Sequence, residues 1–178
     1  AVVMQELCEH ADGAVAINAQ GSLNIANVRR THDHRFFEHL SGSTAWNAGV
    51  LVKNRTVSLK FDSSLQGIAS SLPAPFNKTS TESLPLRFER SSGPASGGTR
   101  EQVRLSLGSV MAGQFLRLQE GGRMTVERGA IGIGMGEPPA LPERGTLVAA
   151  SVPAFNVDFW RSLFPASNGN GGNFGDPF

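Results

Sequence analysis

Apolar and polar residues alternate strictly over several short runs of this chain. In Thr56-Val57-Ser58-Leu59-Lys60-Phe61-Asp62 every odd position is apolar and every even one polar. Leu84-Pro85-Leu86-Arg87-Phe88-Glu89 and Gln102-Val103-Arg104-Leu105-Ser106-Leu107 repeat the pattern. Successive side chains of a strand point to opposite faces, so each run predicts a strand with one apolar and one polar face. Weaker strands are expected over Ala14–Ile17 and Ser22–Val28, joined by a turn at Asn18–Gly21, and over Val110–Leu118, Met124–Met135 and Thr146–Ala150. The spacing predicts a mainly β chain built as an antiparallel meander, with one or two short helices.

Three segments interrupt the strand pattern. Residues 62–78 carry Ser63 and Ser64 as caps, then Pro73 and Pro75, and predict a turn or short helix followed by an extended crossing. Residues 91–99 (SSGPASGGT) read as a flexible loop between two strands. Residues 156–164 predict a helical turn with Phe155, Phe159, Trp160, Leu163 and Phe164 on its apolar side. Residues 1–165 therefore form one β-rich domain, and residues 166–178, rich in Gly and Asn, read as a flexible tail.

Composition narrows the function classes. The 178 residues carry a net charge of +1, which argues against a dedicated nucleic-acid binder, and charged residues make up 17%, below the roughly 25% usual for soluble domains. One Cys forbids an intrachain disulfide and any multi-cysteine metal site. No apolar run reaches the ~18 residues of a spanning helix. The first residues lack the basic and apolar regions of a signal peptide, and position 1 is Ala, so the chain reads as a fragment or a processed product.

Few residues suggest chemistry. His32-Asp33-His34 with His39 has metal-like spacing, because His32 and His34 share a face if they lie on a strand. It lacks a placed third ligand, and a polar hairpin tip explains it equally well. The glycines at 129, 132, 134 and 136 do not match a phosphate-binding loop, and Glu137-Pro138-Pro139 follows where a helix would be needed. They predict instead a strand face bare of side chains. Asn54-Arg55-Thr56 and Asn77-Lys78-Thr79 match a glycosylation triplet, a pattern common by chance. Trp46 and Trp160 read as core aromatics. No serine–histidine–carboxylate set stands out, so no catalytic residue, metal site or cofactor is expected.

Three stretches together resemble the YhdP family, large AsmA-like envelope proteins of Gram-negative bacteria. The first is Leu40-Ser41-Gly42-Ser43-Thr44-Ala45-Trp46. The second and most specific runs Ser63-Ser64-Leu65-Gln66-Gly67-Ile68-Ala69-Ser70-Ser71-Leu72-Pro73-Ala74-Pro75-Phe76-Asn77-Lys78 and is followed by Leu84-Pro85-Leu86. The third combines Arg128–Gly134, Leu141-Pro142-Glu143-Arg144-Gly145 and Val157-Asp158-Phe159-Trp160. The similarity covers about residues 12–165, and the family is several times longer, so the chain corresponds to an internal segment.

The resemblance implies a bridge-like groove through the periplasm, part of a protein anchored in the inner membrane. It implies movement of phospholipid between inner and outer membranes, and so outer-membrane barrier integrity, without covalent chemistry. Phospholipid acyl chains and neighbouring segments of the same long chain are the implied partners. Groove residues would be Val57, Leu59, Phe61, Leu86, Phe88, Val103, Leu105 and Leu107. The alternating strands fit a curved groove wall or a closed sandwich equally. Two other functions are open at this stage: a periplasmic β-rich interaction scaffold without direct lipid contact, and a metal-dependent enzyme at His32 and His34.

Overall fold

Alternation along each run becomes register between runs. The computed structural model describes residues 2–9, 13–31, 34–154 and 156–163. Its strands are β1 (Val2–Glu9), β2 (Val15–Asn24), β3 (Leu40–Lys53), β4 (Thr56–Ser63), β5 (Ile68–Ser70), β6 (Leu86–Ala95), β7 (Gly98–Leu107), β8 (Met111–Glu120), β9 (Arg123–Ile133) and β10 (Gly145–Ala150). Two helices, α1 (Ile25–Thr31) and α2 (Val157–Leu163), and a 3-10 helix over Arg35–His39 complete it. The sheet is open and curved, in the order β1-β2-β3-β4-β6-β7-β8-β9-β10, with β5 pairing β3 alone. Every pair is antiparallel except β9 with β10, which run parallel.

The parallel pair departs from a pure meander because β10 returns by a crossover, as parallel neighbours require. That crossover, residues 134–144, lies against the sheet: Gln114 Nε2 donates to the Pro139 carbonyl at 2.7 Å. A Cβ on Gly132 would meet Met135 Sδ at 2.9 Å and Pro139 Cδ at 3.1 Å. Gly132 is thus bare because the crossover presses on it. Gly129 is bare for a different reason, since a Cβ there would meet Phe115 Cδ1 at 2.7 Å on the other face. The glycines do permit close approach, but they do not line one bare face, and the strand ends at Ile133 before reaching Gly134.

Other expectations are corrected. Asn18–Gly21 is no turn: β2 runs straight through it, paired with β3 from Val15↔Val52 to Asn24↔Ser43, and residues 25–31 are helical. Residues 91–99 are no loose loop, because β6 and β7 stay paired down to Ala95↔Gly98. Small residues serve the strand there: a Cβ on Gly98 would fall 1.9 Å from the Gln119 carbonyl oxygen. Of the turn or short helix expected over residues 62–78, the structure has turns, with the short strand β5 among them. His34 lies on no strand; it caps the 3-10 helix, its Nδ1 accepting from the Phe36 N–H at 3.1 Å. His32, Asp33, Phe155, Phe164 and the tail from residue 166 lie outside the described residues. The strand β1 carries no clear alternation and was not expected from its sequence.

The two ends of the sheet differ. At one end the strands join by tight turns at Asn54-Arg55 and Gly121-Gly122, all four residues with positive φ, and at Ser96-Gly97. Positive φ at both central residues matches the twist of paired strands. The opposite end holds the starts of β3, β6 and β8, the ends of β4, β7, β9 and β10, the 3-10 helix and the irregular 64–85 segment. From the end of β10, where the Ser151 N–H donates to the Ile133 carbonyl of β9, the chain passes to α2. There Phe159 packs edge-on against His39, at a ring-centroid distance of 5.1 Å, and Trp160 against Phe76 at 5.1 Å. Six steps of about 4.8 Å would separate β10 from β3 in a flat sheet, roughly 29 Å, whereas a partly helical link from Val152 to Phe159 reaches about 20 Å. Curvature and inward-leaning loops close the difference, and α2 straps that end.

The segment from Ser63 to Leu84 anchors this capped end. Gly42 and Gly67, both at positive φ, bring two backbones so close that a Cβ on either would lie about 2 Å from a carbonyl oxygen (Gly67 O at 2.0 Å, Ser43 O at 2.1 Å). Ser63 Oγ donates to the Ala45 carbonyl at 2.7 Å and accepts from the Leu65 N–H at 3.1 Å. The Lys78 ammonium reaches back into the loop and donates to the carbonyls of Ile68 (2.6 Å), Leu65 (2.9 Å) and Thr79 (3.0 Å). Burial pushes its pKa down, and the nearby Glu82 carboxylate partly offsets this. The lysine ties the loop together, since a buried ammonium needs its donors satisfied.

Replacing Lys78 with Met strands the Ile68 carbonyl without its donor, and should lower unfolding stability by about 2–4 kcal/mol, read from the urea midpoint at unchanged m. Glu82 adds a pH signature. Its carboxylate accepts from the Thr79 N–H (2.6 Å) and hydroxyl (2.9 Å), which holds its pKa below the usual carboxylate range. Its contribution is therefore complete above the ordinary glutamate pKa and is lost as pH falls through the depressed value. Urea midpoints measured from neutral to acid pH should fall more steeply for the native chain than for Glu82→Gln.

Candidate functional site

Cross-strand register decides which side chains share a face. Phe61 pairs with Ala48 and Phe88, Phe88 with Leu105, Leu105 with Gly113, and Gly113 with Ile131. Following these pairs brings Val57, Leu59, Phe61, Leu86, Phe88, Val103, Leu105 and Leu107 onto one face. The same face collects Ile17 from β2, Trp46 and Val50 from β3, Phe115 from β8, Ile131 and Ile133 from β9, and Val148 from β10. Trp46 stacks on Phe61 at 5.7 Å. Apolar side chains thus run without a break from β2 to β10.

The opposite face is mostly polar, although Leu51, Leu116, Leu118 and Leu147 also lie on it. Lys60 pairs with Glu89 at 3.8 Å, Arg87 with Asp62 at 2.8 Å and Arg100 with Glu127 at 3.2 Å, exposed ion pairs that add little stability but keep this face wet. Where the crossover covers it, Ala112 and Ala130 are fully buried.

No second layer lies over the apolar face among the described residues, which rules out the sandwich. Val57 remains 40% exposed, Val126 44% and Val148 61%, and only Val103 of the predicted groove residues is buried. Apart from Val57, the others are half-buried. A sheet in a sandwich would bury this set almost completely.

One charged group interrupts the apolar face. Glu101, on β7, is 1% exposed. Arg117 Nη2, directly across on β8, donates to its Oε2 at 2.8 Å, and Arg90 Nη2, diagonally placed on β6, donates to its Oε1. Arg90 keeps 44% of its side chain exposed and Arg117 23%. Sequence reasoning missed this triad because its members lie in three separate strands and touch only once the register is known. The alternation signal itself was present, as Glu101 shares parity with Val103 and Leu105.

Other candidates resolve into structure. His39 Nδ1 lies 3.2 Å from Ser71 Oγ, a serine–histidine pair, but the hydroxyl faces the His39 carbonyl at 3.4 Å and the ring packs on Phe159. The pair ties α2's docking surface to the loop. Trp46 sits on the apolar face and Trp160 in the cap. Among the described residues no three His, Cys, Asp or Glu side chains are grouped to hold a metal ion, and no helix is long and apolar enough to cross a membrane.

A one-layer curved sheet with an uncovered apolar face and a strapped end defines a class of elongated β modules. The chain belongs to the YhdP protein family, whose model matches residues 3–173, and that membership suggests an AsmA-like envelope protein. No curated protein and no solved structure matches it.

The triad makes a stability prediction. Glu101→Leu leaves two guanidiniums facing each other and should cost about 3–5 kcal/mol, whereas replacing Arg90, Glu101 and Arg117 together by Met, Leu and Met should recover most of that loss. Urea denaturation of the single and triple variants measures the difference.

Proposed function

We propose that this chain is a periplasmic segment of an inner-membrane-anchored protein that moves phospholipid between the two membranes, and that its apolar face is the wall along which acyl chains slide. One observation carries the reading: an apolar row that crosses the sheet from β2 to β10, with no layer over it among the described residues. Apolar surface left half-open in this way favours an apolar occupant, at about 0.8 kcal/mol per methylene removed from water. The half-burial of these side chains supports a sheet that curls toward this face. A continuous track does not need tight binding at any one point, since similar affinity along its length keeps the barrier to sliding low. The reading assigns no covalent step and no cofactor, and neighbouring segments of the longer protein would extend the wall.

Photocrosslinking separates this function from a scaffold. A photoreactive residue at Leu59 or Leu105, on the apolar face, should capture phospholipid in cells. The same residue at Lys60 or Arg104, one position away on the polar face, should not. Protein adducts in place of lipid at Leu59 and Leu105 would instead support a docking scaffold.

A further inference from the structure

The Arg90–Glu101–Arg117 triad divides the apolar face. On the side of the capped end, β6, β7 and β8 present Phe88, Val103, Leu105, Leu107 and Phe115. On the side of the hairpin turns the same strands present Ser92, Pro94, Thr99 and Gln119, polar apart from the proline. The triad stands at this change, and two guanidiniums against one carboxylate leave one net positive charge there. Each arginine donates from one nitrogen to Glu101, and Arg117 Nε is buried with no partner among the described residues. A guanidinium has five N–H donors in a planar fork suited to oxygen anions.

We propose that the triad is a subsite for a phosphate-type anion, the head of an amphiphile whose tails lie toward the capped end. Glu101 holds both arginines in place and cancels one charge, so the site attracts a single negative group without binding it permanently. From Glu101 to Leu107 the strand offers about 20 Å of apolar length for the tails. Tails toward the cap and head at the triad give the amphiphile one orientation on the sheet. The inference rests on the apolar face being a lipid surface, and adds which head it takes and where.

The test titrates the 178-residue chain with three probes: a short-chain phosphatidylglycerol, an alkyl maltoside of matched chain length, and inorganic phosphate. Binding is followed by amide shifts in NMR spectra. The phosphatidylglycerol should bind about tenfold more tightly than the maltoside, and Arg90→Gln should remove that advantage while leaving maltoside binding unchanged. Arg104→Gln, on the polar face, should alter neither. Should Arg90→Gln fail to give the native circular dichroism spectrum, Arg90→Lys, which keeps charge but loses the fork, should give a partial loss. Equal binding of both amphiphiles, or equal effects of the Arg90 and Arg104 variants, overturns the subsite and leaves the apolar face standing. Inorganic phosphate binding as tightly as the lipid would make the ligand a free anion and overturn the headgroup assignment. If neither amphiphile binds, the lipid surface itself fails, and the subsite with it.

Discussion

A sheet one layer thick cannot stabilise its apolar face against a second layer, and the rest of this fold follows from that constraint. Burial must come from neighbours on the same face, from curvature and from closure at the ends. The polar face helps only where the 134–144 crossover presses on Ala112, Ala130 and Gly132. Elsewhere the buried apolar side chains among the described residues are few, and apart from Ala14 and Val103 they gather at the capped end: Ile68 and Leu72 in the 63–84 segment, Ile25 on α1 and Leu163 on α2. The capped end therefore holds much of what serves as a core, and the long strands project from it.

This division explains the family motif. Leu40-Ser41-Gly42 pairs with β5, and Gly42, Gly67, Ser63 and Lys78 each engage backbone of this same end. Gly42 and Gly67 let two backbones touch, Ser63 bridges β3 and the turn, and the lysine satisfies carbonyls that a loop without regular structure would otherwise leave bare. A sequence pattern this specific invites a functional reading. Its specificity instead reflects how few residues can close an end whose backbone groups have no ladder to join.

Legibility from sequence tracked the source of each signal. Val57-Leu59-Phe61 and Val103-Leu105-Leu107 were readable because a one-sided sheet imposes period two and nothing else. The same logic put the predicted groove residues on one face before any pairing was known. The β2 strand was misread because Asn18, Gln20 and Gly21 resemble a turn, and only ten consecutive pairs with β3 override that local preference. Residues 91–99 were misread for the same reason. Cross-strand pairing lies outside local sequence, so the triad, the strap by α2 and the parallel return of β10 were all invisible until register was known.

Register is also where the buried charge has its structural role. An apolar pattern of period two rejects a slip of one residue, which sends every apolar side chain to the wrong face, but tolerates a slip of two, which merely exchanges one apolar neighbour for another. The Arg90–Glu101–Arg117 set removes that tolerance. Shifting β7 against β8 by two places sets Glu101 opposite Phe115 or Gln119 in place of Arg117, leaving a carboxylate without its partner on an apolar face. Three strands are thereby locked to a single alignment by groups that contribute little net stability as a well-paired set. A one-layer sheet lacks the opposing layer whose packing would otherwise select the register, so charge in the middle of the apolar face does the selecting. That placement also puts the change from apolar to polar on the β6, β7 and β8 surfaces at one common height.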